Sequence, residues 1–163
     1  MNRGLLALGI LVLLVGGAQR AGAHCEIPCG IYGDEMRFDL MAEHITTIEK
    51  SMNEIRRLAA KADKTAQDHN QLARWIANKE QHASKLQAVV SQYFLHQRIK
   101  PAAAAEKKAR QKYIRQLTAA HALLIGAMRA KQTVDAGVIA DLERDLKKLR
   151  RAYFGPQGPG HDH

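Results

Sequence analysis

Cysteine is scarce in this 163-residue chain: Cys25 and Cys29, four positions apart, are the only two. No Cys-x-x-Cys-His occurs, so a c-type haem attachment is excluded. No Cys-x-x-Cys occurs either, and nothing alternates strands with helices, which argues against a thioredoxin-like dithiol oxidoreductase. Also missing are the paired Glu and Glu-x-x-His sets by which helical bundles hold two irons. No segment alternates with period two over a useful length, which leaves no half-buried strand. The four prolines, Pro28, Pro101, Pro156 and Pro159, leave long stretches free of helix breakers. The one uninterrupted apolar run, Gly4 to Ala18, is too short for a comfortable membrane span, which takes ~20 residues.

What is present begins with a leader. Arg3 supplies a positive start, "LLALGILVLLV" (Leu5 to Val15) an apolar centre, and Ala21-Gly22-Ala23 a small-residue cleavage site. These three parts make a secretory signal peptide over residues 1–23, an uncleaved anchor being the alternative. Cleavage after Ala23 makes His24 the first residue of the mature chain, and places the protein outside the cytoplasm, periplasmic or extracellular. It also removes Arg3 and Arg20, so the net charge falls from +9 to +7. Such a balance suits nucleic acid, an anionic surface or a small anionic substrate. Export argues against nucleic acid, no stable membrane association is expected after cleavage, and the scattered basic residues read mainly as a solvated helical surface.

From Asp34 onward the period is helical. Met41, Ile45, Ile48, Met52, Ile55 and Ala59 form one apolar stripe on a helix from near Asp34 to Lys61. Asp63 or Thr65 caps a second helix, which carries Leu72, Ile76, Ala83, Leu86, Val90 and Tyr93, with Trp75, Val89 and Phe94 flanking, and stops before Pro101. Pro101 suits the start of a third, with Tyr113, Leu117, Ala120, Leu124 and Met128 in line. Thr133 or Asp135 caps a fourth, along which Ile139, Leu142, Leu146, Leu149 and Tyr153 keep the rhythm. The expectation is an all-α antiparallel four-helix bundle over residues 34–154, preceded by a hook at 24–33 and followed by a flexible His-containing tail at 155–163.

The chemistry has to come from the hook, "HCEIPC". A free His24 offers an α-amine and an imidazole, the peptide nitrogen of Cys25 lies next to it, and Cys25 and Cys29 offer two thiolates. Amine, amide nitrogen and the Cys25 sulfur close two adjacent chelate rings, and Cys29, carried back by the turn at Pro28, fills a fourth corner. A planar set of two nitrogens and two sulfurs favours Ni(II) or Cu(II) over tetrahedral zinc. Thiolates reduce Cu(II), which tips the choice to nickel.

"HCEIPCGIY" resembles the N-terminal nickel hook of the nickel-containing superoxide dismutases, whose pattern is H-C-x-x-P-C-G-x-Y. His24, Cys25, Pro28, Cys29, Gly30 and Tyr32 match every fixed position. The likeness extends through "MRFDLMAEHITTIEKSM", "NKEQHA" and "SQYF"; beyond about Phe94 it is one of architecture only. It implies disproportionation of superoxide to dioxygen and hydrogen peroxide, with one nickel ion per subunit cycling between Ni(II) and Ni(III). His24, Cys25 and Cys29 would be metal ligands, with the His24 imidazole axial in the oxidised form. Tyr32 would gate small anions over the open face. By its place in "RFD", Asp39 resembles the carboxylate that the family keeps near its hook histidine. The "KEQ" motif is followed in the family by an arginine bracing that histidine; here His82 stands in its place. The resemblance also implies a homohexamer.

Other readings of the same residues are a simple Cys25–Cys29 disulfide, expected in an oxidising compartment, and an exported nickel- or copper-delivery protein using the hook with His161 and His163. His44, His69, His96 and His121 read as ordinary surface or packing residues.

Overall fold

The computed structural model describes residues 33–156. Helix α1 spans Asp34–Ala59. Helix α2 spans Ala66–Ala88 and runs directly into a π-helical segment, Val89–Arg98. Helix α3 spans Lys107–Gln132 and α4 spans Gly137–Phe154. No strand occurs among the described residues, and no helix there is long and apolar enough to cross a membrane. Each helix packs on the next in chain order and α4 closes on α1, the neighbour pattern of an up-down-up-down bundle.

The apolar stripe of α1 is buried as its spacing predicts through Met41, Ile45, Ile48, Met52 and Ile55, and it begins one turn earlier at Phe38. At the other end Leu58 is buried and Ala59 is exposed, because the larger side chain gains more by burial. Thr65 starts α2 with a reciprocal cap. Its hydroxyl accepts from the Asp68 N–H at 3.1 Å, and the Asp68 carboxylate accepts from the Thr65 N–H at 3.1 Å.

Three expectations fail in instructive ways. Ile76 is exposed, while Lys79, one turn on, is buried. The Lys79 ammonium lies under the last turn of α3, donating to the Ala130 carbonyl at 2.7 Å and also to that of Lys131. A cation is favoured there because the terminal carbonyls have no helical donors. Pro101 does not begin α3: Ala102 to Ala105 provide neither a capping side chain nor bulk to bury, and the helix starts at Lys107.

The buried face of α3 is rotated from the expected line. It consists of Gln116, Ala119, Ala120, Leu123, Gly126, Ala127 and Ala130, while Met128 is exposed. Small residues let α4 approach closely. A Cβ on Gly126 would lie 2.7 Å from Leu142 Cδ2.

The start of α4 is set by Asp135, whose carboxylate accepts from the Gly137 N–H at 3.0 Å. Val138, Ile139, Leu142 and Leu149 are buried, and Leu146 and Tyr153 pack at the edge of the core. Gly155, at φ 91° and ψ −178°, ends the helix in a positive-φ conformation that glycine adopts without strain.

Candidate metal centre and the root of the hook

His24, Cys25, Cys29 and Tyr32, with Pro28 and Gly30, lie outside the described residues. Among the described residues no group of three or more His, Cys, Asp or Glu side chains could hold a metal ion. The bundle's contribution is therefore read at the place where the hook is attached, Gly33 and Asp34.

Gly33 has no side chain with which to cap α1, and the first turn instead carries Asp34 and Glu35, whose charge suits a helix N-terminus. Asp34 is tied to two other elements. Its Oδ1 accepts from the Tyr93 hydroxyl at 2.6 Å, and its Oδ2 accepts from Arg98 Nη2 at 2.7 Å and from the Tyr153 hydroxyl at 2.7 Å. Partial burial pushes the Asp34 carboxyl up, but the bonds from Arg98, Tyr153 and Tyr93 outweigh it and hold the group below the ordinary carboxylate range. Burial and the bond to Asp34 push both Tyr93 and Tyr153 up to about 12. The Asp34 bond raises Arg98, against the opposing effect of its burial. At neutral pH the cluster is thus one carboxylate held by one guanidinium and two neutral phenols.

Beneath it lies an aromatic floor. Phe38, one turn after Asp34, meets Phe94 at 4.8 Å, Phe154 at 5.3 Å and Tyr153 at 5.7 Å between ring centroids. Tilted and edge-on contacts of this kind are favourable beyond the area they bury. The guanidinium groups of Arg37 and Arg98 lie 5.0 and 5.7 Å from the centre of the Tyr93 ring.

The two bundle residues singled out by the resemblance are not joined to each other by any hydrogen bond. Asp39 is exposed on α1 and accepts from Arg150 Nη1 at 3.2 Å; the same guanidinium donates to Glu35 at 2.7 Å. His82 is half-buried on α2. Its ring meets that of His44 edge to face, centroids 5.1 Å apart, and its Nδ1 is buried without a hydrogen-bond partner. His44, read from the sequence as an ordinary residue, is the packing partner of His82. Burial lowers both imidazoles, His44 to about 4, with the neighbouring His82 and Lys85 adding to the effect on His44.

Tyr93 is in the sequence both a stripe residue and part of "SQYF", Tyr153 is a stripe residue, and neither Asp34 nor Arg98 carries a motif. The one signal for them was that a carboxylate opens a helix directly after the hook. A concavity of about 1020 Å³ lies elsewhere, between α3 and α4. Its rim includes Lys112, Arg115, Lys147 and Arg151, and it contains none of the Asp34 cluster.

Residues 19–156 match the family described as nickel-containing superoxide dismutase. Comparison with curated proteins and with solved structures gives no match. A match running from before the hook to the end of α4 covers most of the chain, and it meets a four-helix bundle whose first helix follows directly on the hook. The chain belongs to the nickel-containing superoxide dismutases, and is an oxidoreductase that uses nickel to disproportionate superoxide.

Proposed function

We propose that residues 24–32 are the nickel centre of this enzyme, formed once residues 1–23 are removed, and that the mature protein works outside the cytoplasm. The observation that carries this reading is the placement of "HCEIPCGIY" directly after the small-residue site Ala21-Gly22-Ala23. The donor set fits nickel: an amine, a peptide nitrogen and two thiolates are strong donors suited to a square-planar ion. When bound, nickel supplies one-electron redox chemistry between Ni(II) and Ni(III).

The protein's residues have the remaining tasks. His24 provides its α-amine and its imidazole, Cys25 its peptide nitrogen and thiolate, and Cys29 the second thiolate. Two superoxide ions and two protons give one dioxygen and one hydrogen peroxide, so protons must be delivered as well as electrons. Tyr32 supplies a hydroxyl that admits small anions and holds a proton or a water molecule. Asp39 and His82 orient the His24 imidazole, with the unpartnered Nδ1 of His82 offering the hydrogen bond that an arginine gives elsewhere in the family. The homohexamer rests on the resemblance to the family alone.

Intact mass and metal content of the purified mature protein test the reading together. The expected result is a chain beginning at His24, one nickel per subunit and catalytic removal of superoxide. A retained leader, a Cys25–Cys29 disulfide with no metal, or merely stoichiometric consumption of superoxide would overturn it.

A further inference from the structure

The π-helical segment Val89–Arg98 is the unusual element of the bundle. Its wide turn is seen in the Ile99 N–H, which donates to the Phe94 carbonyl five residues back at 2.8 Å. Such segments are rare, and they occur frequently at functional sites. Here the widening has a definite consequence. Residues five apart on an α-helix are rotated by about 140° and face different ways. The wider π turn, with its hydrogen bonds spanning five residues, brings such a pair closer to one face, and Tyr93 and Arg98, five apart, both reach Asp34. Tyr153 of α4 completes the set from the other side. Three donors from two elements therefore fix the first residue of α1.

That residue is the root of the hook. Tyr32 is two positions before Asp34 and Cys29 five, so at full extension they lie within about 7 and 18 Å of it along the chain. We infer that the Asp34–Tyr93–Arg98–Tyr153 clamp is a positioning device for the reaction, setting where residues 24–32 leave the bundle. This rests on the reading of those residues as the nickel centre. Asp34 and Tyr153 are positioning residues in this scheme: they act through the backbone at Gly33 rather than by touching the metal. A reaction that would need the His24 imidazole and the Tyr32 hydroxyl held near the metal would be sensitive to such placement. A misplacement of about 1 Å can cost about a hundredfold in rate.

The test uses Tyr153→Phe and Asp34→Asn in the mature, nickel-loaded protein. Tyr153→Phe removes one hydroxyl and leaves the ring in its aromatic cluster, so folding is preserved. Lys79→Met, which weakens the bundle away from the clamp, is the control for lost stability. Four quantities are measured: superoxide turnover, nickel affinity by competition with a chelator, the paramagnetic resonance spectrum of the oxidised nickel, and amide exchange in the first turn of α1 in metal-free protein. The clamp predicts faster exchange in both variants, turnover reduced about tenfold or more, and a changed nitrogen coupling in the resonance spectrum, none of which appears in Lys79→Met. Restoring the carboxylate as Asp34→Glu should recover part of the turnover that Asp34→Asn loses. An active wild type whose Tyr153→Phe and Asp34→Asn variants keep its turnover, nickel affinity and spectrum would overturn the clamp alone. A nickel-loaded wild type with no turnover would overturn both the clamp's role and the reading on which it rests.

Discussion

The His44 ring stands edge-on to the His82 ring, centroids 5.1 Å apart, one from α1 and one from α2. Lys85 also faces this pair, and no carboxylate is among the groups that shift either imidazole. A proton on His44 thus meets burial and like charge together.

This sets a pH dependence of stability. The folded chain holds His44 at about 4, against 6.5 when unfolded, so between those values the unfolded state binds more protons. Stability is complete above about pH 6.5 and is lost as pH falls toward 4, by about 2 kcal/mol in order of magnitude. His82, lowered in the same direction, adds to the loss. Urea unfolding of the metal-free mature chain at pH 7 and at pH 4.5 should show the difference, and His44→Phe should flatten it. An equally steep dependence in His44→Phe would place the titrating group elsewhere.

Lys79 provides a second prediction, on stability without chemistry. Its buried ammonium serves the carbonyls of Ala130, Lys131 and Thr133, and Arg56 donates to Val134 at the same corner. Lys79→Met fills similar space but leaves these carbonyls without their cation. Hydrogen bonds to charged groups contribute about 1.5–3 kcal/mol each, less the cost of burying the charge, so a net loss of about 2 kcal/mol is expected in denaturant unfolding. Nickel content should be unchanged. A variant as stable as wild type would show that burying the ammonium costs as much as its bonds return.

How far the fold could be read from the sequence follows the size of the side chains. On α1, long apolar residues at regular spacing mark the buried face, and the reading departs from it only at the ends, where it omits Phe38 and takes Ala59 for Leu58. On α3 the buried face is mostly alanine and glycine, which allow close approach, so larger residues drew the line to its edge: Ala120 is buried, Tyr113, Leu117 and Leu124 pack at the margin of the core, and Met128 is exposed. The π segment left no mark, because Val89 to Arg98 has the composition of an ordinary amphipathic helix. For the site the balance is reversed. The donors proposed for the hook are neighbours in sequence, so their chemistry can be argued from spacing alone, and they lie outside the described residues. The clamp on Asp34 joins residues as many as 119 positions apart, which only folding brings together.

The free amine of His24 leads to a third prediction. If that nitrogen is a ligand, an uncleaved leader, a retained methionine or an N-terminal acetyl group should abolish nickel-dependent turnover while the bundle stays folded. Ala23→Pro, placed to block cleavage, makes the test in a single change. Circular dichroism should report an unchanged helical content, and superoxide removal should be lost. Normal turnover by a precursor shown by mass to keep its leader would falsify the amine as a ligand.

The last prediction separates ligand from gate. Cys25→Ser and Cys29→Ser replace a donating thiolate with a neutral hydroxyl, a far weaker ligand for a soft-donor site. Both variants should lose planar Ni(II) binding, seen in the absorption spectrum and in metal analysis, and turnover with it. His24→Ala retains the amine, so Ni(II) should still bind. Without the imidazole the oxidised nickel would lack the donor that the resemblance assigns to His24, and activity should fall severely while nickel content stays near one per subunit. Tyr32→Phe removes only a hydroxyl: nickel is kept, activity remains measurable, and the change appears in anion inhibition or in saturation by substrate. The four variants therefore divide into two that lose metal and two that keep it. That division is what distinguishes a metal centre from a structural Cys25–Cys29 disulfide, in which neither His24→Ala nor Tyr32→Phe has any reason to affect turnover. Equal and complete loss of nickel in all four would mean that the hook collapses as a unit, and that no residue in it can be assigned a separate role.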